Sequence, residues 1–183
     1  AFAAFMRLGV RHILSGWDHL AFVAVLILAS RRVRSLLAVI TAFTVAHSIT
    51  LVLAALDVID VSALMRTIEV AIALSIVYVA IDTLLAPRLT RPRWPEALVF
   101  GLLHGLGFAS FLTHSLVHEP GRVAPLAGFN VGVECGQVAV AVGVVAVMRV
   151  LPRGKEDADF IAPAWLRVGG GVLVALVGAV PAD

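Results

Sequence analysis

Apolar runs of membrane-crossing length recur along this chain, and they constrain it more than any single motif does. Stretches such as LAFVAVLILA and VAVAVGVVAVM are continuous rather than alternating. A bilayer core asks for ~20 apolar residues per helical crossing. Inside it every backbone polar group must be satisfied internally, which leaves only helices and closed β-barrels. Barrel strands need ~10-residue alternating segments, so the runs read as helices. The expected fold is all-α, a polytopic integral membrane helical bundle. About six transmembrane helices are predicted, over roughly 9–30, 35–56, 63–86, 96–117, 124–150 and 163–181, with 1–183 forming a single transmembrane domain. Composition agrees. Hydrophobic residues make up 61% of the chain and charged residues only 14%, too little polar surface to clothe a soluble domain.

The formal net charge is +2, and the basic residues are spread over several loops, so the charge informs topology and gives no nucleic-acid patch. Arg31, Arg32 and Arg34 follow the first run, Arg88, Arg91 and Arg93 the third, and Arg149, Arg153 and Lys155 the fifth. The positive-inside rule puts these Arg-rich loops on the cytoplasmic side and both termini outside. Arg7 and Arg11, ahead of the first predicted helix's apolar part, pull mildly the other way. The single cysteine, Cys135, excludes an intrachain disulfide and any cysteine-rich metal framework. It reads as a small buried residue.

Ionisable groups at mid-helix cost roughly 2.5–3.5 kcal/mol each on insertion scales and usually mark pathways or sites, yet this chain has many. The first run carries His12, Asp18 and His19, with Ser15 between the histidines. Read as one continuous helix, the seven-residue spacing puts His12 and His19 on one stripe, about two turns apart. Asp18 at its edge can orient an imidazole or join it as a ligand. The second run carries His47 beside Thr41, Thr44 and Ser48, and the fourth carries His104 among glycines. In the fifth, Asn130, Glu134 and Gln137 share a stripe opposite Gly128, Gly132 and Gly136. The glycine series reads as a helix-packing face. Glu69 reads as a gate residue, a ligand or a histidine partner, and Asp82 as a partner for Arg88. His114, His118 and Glu119 lie in a loop where they would be solvated or capture metal.

The candidate metal ligands are thus His12, Asp18, His19, His47, His104 and Glu134, supported by Ser15, Ser48, Glu69, Asn130 and Gln137. Counted from the run ends they fall at several depths, which suggests a route rather than one tight cage. Neutral imidazole with carboxylate or amide oxygen suits borderline divalent ions such as Ni²⁺, Co²⁺ and Zn²⁺. The bland alternative is that these groups bond to neighbouring backbone and only hold the bundle together.

Four separated motifs, GVRHILSGWDHL, TAFTVAHSITL, FGLLHGLGFA and FNVGVECGQ, together resemble the HupE/UreJ family of bacterial membrane proteins. The likeness runs from about Gly9 to Gln137. It implies a multi-pass protein of the bacterial inner membrane that carries a divalent transition-metal ion, nickel first and cobalt second. The family's H-x-x-x-G-x-D-H element falls on His12, Gly16, Asp18 and His19, and its later elements on His47, His104 and Glu134. The chain is more similar to the branch with H-G-x-G-F-A and F-N-x-G-V-E-x-G-Q than to the hydrogenase-linked branch, to which the nickel assignment chiefly belongs.

Two other readings use the same residues. One is an intramembrane hydrolase in which the histidines and Asp18 hold Zn²⁺ and Glu134 is the general base. The other is an integral subunit of a larger membrane assembly. The expected partners are the lipid bilayer and a metal ion, no nucleic acid, with a homo-oligomer or a membrane-complex partner left open.

Overall fold

The computed structural model describes residues 1–30, 32–56, 58–85, 92–117 and 119–152, together with Ala162, Arg167, Gly169 and Gly170. These residues form helices α1 (Phe2–Ser15), α2 (Trp17–Ala29), α3 (Val33–Ala55), α4 (Met65–Leu85), α5 (Trp94–Leu116) and α6 (Val123–Val150). A 3₁₀ turn at Ser62–Leu64 leads into α4, and there is no strand among the described residues. In the exposed connection before that turn the Asp60 carboxylate accepts the Ser62 backbone N–H at 2.9 Å. That bond holds the carboxyl below the usual carboxylate range.

The all-helical expectation holds, but six crossings are not reached among the described residues. Three helices are long and apolar enough to cross a membrane: Val33–Ala55, Ser62–Leu85 with its 3₁₀ turn, and Val123–Val150. A fourth crossing results if α1 and α2 count as one broken span, bent by 72°. Helix α5 has the length of a crossing, at 23 residues. The predicted span 163–181 falls largely outside the described residues, as do Arg31, Asp57, Arg88, Arg91, His118, Arg153 and Lys155.

Glycines set two close helix pairs. On α1, Phe5, Gly9 and Ile13 are buried, a four-residue repeat that makes one apolar face, and that face meets the glycine stripe of α6. A Cβ on Gly9 would lie 2.9 Å from the Val133 nitrogen, one on Gly132 2.9 Å from the Met6 carbonyl carbon, and one on Gly136 3.1 Å from the Ile13 Cβ. Because these partners advance together along both helices, α1 and α6 run parallel. Cys135 lies about 100° round from Gly136, off the packed face. It is exposed, against the expectation that it would be buried.

The second pair is α3 with α5. Gly101 sits against Phe43 and Ala46, and Gly105 against His47 and Thr50, so these helices are parallel as well. The connection 117–122 reaches at most ~22 Å and cannot return α6 to the start of α5, ~35 Å away. Helix α6 therefore runs back from the end where α5 finishes. Arg122, just ahead of it, donates to the Ala55 carbonyl oxygen at the end of α3. One end of the bundle, the Leu116 end, thus gathers the ends of α3 and α5 and the starts of α1 and α6. The Arg93 end gathers the starts of α3 and α5. There Asp82 pairs with Arg93 at 2.9 Å, and Glu96 lies 3.7 Å from the same guanidinium. The predicted partner, Arg88, is outside the described residues; Arg93 caps α5 and so faces the last turn of α4.

The break at Gly16 matters most. Its backbone is extended, with φ −82° and ψ 106°, and its neighbours explain why the position lacks a side chain. A Cβ would lie 2.9 Å from His19 Nδ1, and 3.0 Å from both Asp18 Oδ1 and the His12 carbonyl oxygen. After the bend, α2 enters the interior, and Phe22, Val23, Val25 and Ile27 are at most 1% exposed. A helix apolar all round belongs there.

Candidate metal centre

On a continuous helix the seven-residue step from His12 to His19 would separate them by ~10.5 Å along the axis. The bend brings their ring centroids to 4.4 Å. His47 comes in from α3, 6.1 Å from His12 and 6.0 Å from His19, and His104 from α5, 5.3 Å from His19. One ligand atom from each of His12, His19 and His47 lies within 4.8 Å of the others, a group that does not include His104, whose ring stands beside that of His19. His47 is fully buried, His104 is 1% exposed and His19 3%. The route at several depths read from the sequence is therefore replaced by a compact cluster.

Fixed hydrogen bonds set the tautomers of two of these rings. Asp18 Oδ1 accepts from the His19 backbone N–H at 2.9 Å and from His19 Nδ1 at 3.0 Å. The Phe100 carbonyl oxygen accepts from His104 Nδ1 at 2.8 Å. With the proton on Nδ1, each Nε2 presents a lone pair. A carboxylate or carbonyl behind an imidazole is also the usual way a metal-binding ring is oriented. Asp18 thus acts through His19, its side chain remaining 41% exposed.

The buried nitrogens lack partners among the described residues: Nε2 of His12, His19 and His104, and both ring nitrogens of His47. A neutral imidazole always carries one N–H donor, so His47 keeps a buried donor unmet. Such a group costs ~1–3 kcal/mol, and several of them facing one another fit the donor set of a borderline divalent cation. The bland reading, in which each polar group is privately satisfied, fails for these four histidines.

It succeeds for others. Ser15 Oγ donates to the Arg11 carbonyl oxygen at 2.7 Å and Ser48 Oγ to that of Thr44 at 2.7 Å, the usual back-bond of helical serine. Glu69 is exposed on α4 and belongs to no metal-ligand group found among the described residues. Glu134 Oε1 accepts from Thr41 Oγ1 at 2.9 Å, and Gln137 Oε1 from the buried Thr44 Oγ1 at 2.8 Å. These bonds tie α6 to α3, and Glu134 stands outside the three-histidine group. Asn130 is the exception, its Oδ1 buried with no partner among the described residues. His114 is exposed.

The motif reading missed the aromatic surroundings. Phe108 lies 3.8 Å from His12 and stacks on Phe129 at 5.1 Å. On the other side Phe43 lies 5.9 Å from His47 and 5.1 Å from His104, and Phe22 is 4.9 Å from Phe43 and 5.2 Å from His104. A signal was present in the four-residue steps Phe43–His47, Phe100–His104 and His104–Phe108, which place each pair on one helix face.

Removing the Asp18 side chain tests its positioning role. Asp18→Ala is expected to lower metal affinity about 10–100-fold, the usual effect of losing such a partner, and Asp18→Asn to lower it less. Calorimetric titration of folded protein with Ni²⁺ measures both.

A bundle of apolar helices, three or four of them long and apolar enough to cross a bilayer, with three imidazoles gathered at a broken helix that could hold a metal ion, is the architecture of a membrane protein. The chain belongs to the HupE/UreJ family: the family model described as HupE / UreJ protein matches residues 1–180. No curated protein and no solved structure matches it.

Proposed function

We propose that this chain is a membrane permease for a divalent transition-metal ion, nickel first and cobalt second, held in passage by His12, His19, His47 and His104. The observation that carries this reading is the convergence of ligand nitrogens from α1, α2 and α3 within 4.8 Å, with no protein partner for the inward-facing nitrogens among the described residues. Membership of a family associated with nickel and cobalt transport supports the choice of cargo. Neutral nitrogen ligands release an ion more readily than a closed thiolate cage would, and conduction needs release as much as capture. A broken helix with its site at the break is a recurrent transporter arrangement. The hydrolase alternative is weaker, because its general base, Glu134, is bonded to Thr41 and stands outside the histidine group.

Arg32 and Arg34 at the start of α3, Arg93 at the start of α5 and Arg149 at the end of α6 share one end of the bundle by the helix directions above. Arg7, Arg11, Arg66 and Arg122 lie at or toward the other end, so the described arginines through Arg149 divide evenly, and we assign the first end to the cytoplasm of a bacterial inner membrane on the sequence clusters that also hold Arg31, Arg88, Arg91, Arg153 and Lys155.

The test is uptake of Ni²⁺ into proteoliposomes together with elemental analysis of the purified protein. Saturable uptake and bound metal are expected, and protein that binds neither nickel nor cobalt overturns the reading. Binding must also weaken on acidification. Only unprotonated imidazole ligates, so protons compete with the ion and apparent affinity should fall once the medium is acid enough to charge the rings.

A further inference from the structure

The four histidines form a layer with aromatic rings above and below it. Phe108 follows His104 by one turn of α5, toward the Leu116 end. Phe129 lies at the level of Gly9, whose added Cβ would meet the Phe129 carbonyl carbon at 3.1 Å, so it sits on that same side of His12. The two rings stack at 5.1 Å with 11° between their planes, and both face His12, at 3.8 and 5.6 Å. On the opposite side, Phe43 precedes His47 by one turn of α3, Phe100 precedes His104 by one turn of α5, and Phe22 follows His19 along α2. Phe22 lies 4.9 Å from Phe43 and 6.1 Å from Phe100. This second layer closes the side toward the Arg93 end.

Of the four phenylalanine rings that lie against the histidines, Phe22, Phe43, Phe108 and Phe129, only Phe108 is partly buried. Phe100 in the second layer is partly buried as well, 5.9 Å from the exposed Tyr78. Phe22 and Phe43 are each 1% exposed and locked among core side chains. Phe108 is only partly buried and leans at 5.0 Å on Phe111, itself 54% exposed. Behind Phe108 the packing therefore reaches the surface within one turn of helix.

We propose that Phe108, stacked on Phe129, is a movable hydrophobic leaf through which a dehydrated divalent cation reaches and leaves the histidines from the Leu116 end, while the Phe22–Phe43 pair holds the other side shut. The inference rests on the permease reading and adds the gate to it. An aromatic constriction expels water and bars an ion until the ring swings aside. It also penalises ions that shed water reluctantly, as Mg²⁺ does. Rotation of Phe108 leaves the Asp18–His19 and Phe100–His104 bonds in place, so the ligands stay set while access changes.

The experiment uses the whole protein in detergent, loaded with Ni²⁺ and mixed rapidly with excess EDTA, comparing wild type with Phe108→Ala and Phe108→Leu. Nickel stoichiometry and equilibrium binding are measured alongside thermal stability. The expected result is unchanged stoichiometry, with release clearly faster than wild type in Phe108→Ala and intermediate in Phe108→Leu, as a widened hydrophobic constriction should give. Release at the wild-type rate from a folded, nickel-loaded Phe108→Ala protein overturns the gate and leaves the permease reading standing. So does loss of nickel from a folded variant, which would make Phe108 part of the binding pocket. If Phe108→Ala does not fold, the Leu variant decides by the same criteria. Wild-type protein that holds no nickel removes the permease reading itself, and the gate with it.

Discussion

Replacing His19 with alanine is expected to abolish specific Ni²⁺ binding, lowering affinity by more than ~100-fold, since even the outer partners of metal-bound histidines are worth 10–100-fold. His19 is the ring the others surround, with His12 at 4.4 Å, His104 at 5.3 Å and His47 at 6.0 Å. Without it, the ring carrying the Asp18-oriented lone pair is gone, and no other imidazole comes from α2. His19→Gln fills nearly the same volume and separates loss of ligation from loss of packing, so it should bind as poorly while keeping its thermal midpoint. His114→Ala and Glu69→Gln are the controls: both side chains are exposed and should leave the titration unchanged. Calorimetry on purified protein decides it, and a His19→Ala isotherm superimposable on wild type would remove the basis for the site.

The second large effect is structural. Gly132→Ala and Gly105→Ala each set a methyl group against backbone: the added Cβ would lie 2.9 Å from the Met6 carbonyl carbon in the first case and 2.6 Å from the His47 carbonyl oxygen in the second. Backbone cannot swing away as a side chain does, so the helices must separate, at a cost of about 1–3 kcal/mol or more per site. The two should differ in function. Gly105→Ala pushes α5 from α3 beside His47 and should weaken metal binding along with stability, whereas Gly132→Ala acts at Met6 on α1, nearly two turns from His12. Gly143→Ala, with nothing within 4 Å of its added Cβ, should be neutral or stabilising by up to ~1 kcal/mol. Thermal unfolding in detergent ranks the three, and equal midpoints would refute the close-packing account.

Much of the chemistry was legible in the motifs. His12, His19, His47 and His104 stood out because an imidazole in an apolar run needs a reason, and they are the residues the fold assembles. The glycine stripe of α6 was legible as packing because a four-residue repeat of glycines offers backbone for contact. Glu134, Gln137, Ser15 and Ser48 stood out on the same polar grounds, yet their hydrogen bonds tie α6 to α3 or turn back on their own helix. Polarity in a span marks a group that must be satisfied and leaves open by what. The apolar count read 9–30 as one straight span. The Ser15-Gly16 pair inside it was a turn signal that the hydrophobic run outweighed.

Apolar runs and membrane energetics by themselves determined that the chain is helical and lipid-embedded, because hydrocarbon leaves few other ways to satisfy a backbone. They also determined which polar residues required explanation. Only the tertiary structure decided that these residues meet. The 72° bend at Gly16 turns an axial spacing into a contact, and the parallel pairs α1–α6 and α3–α5 bring His47 and His104 to it. Helical periodicity fixes which residues share a face of one helix, whereas bends and crossings between helices depend on backbone contacts made by residues far apart in the chain.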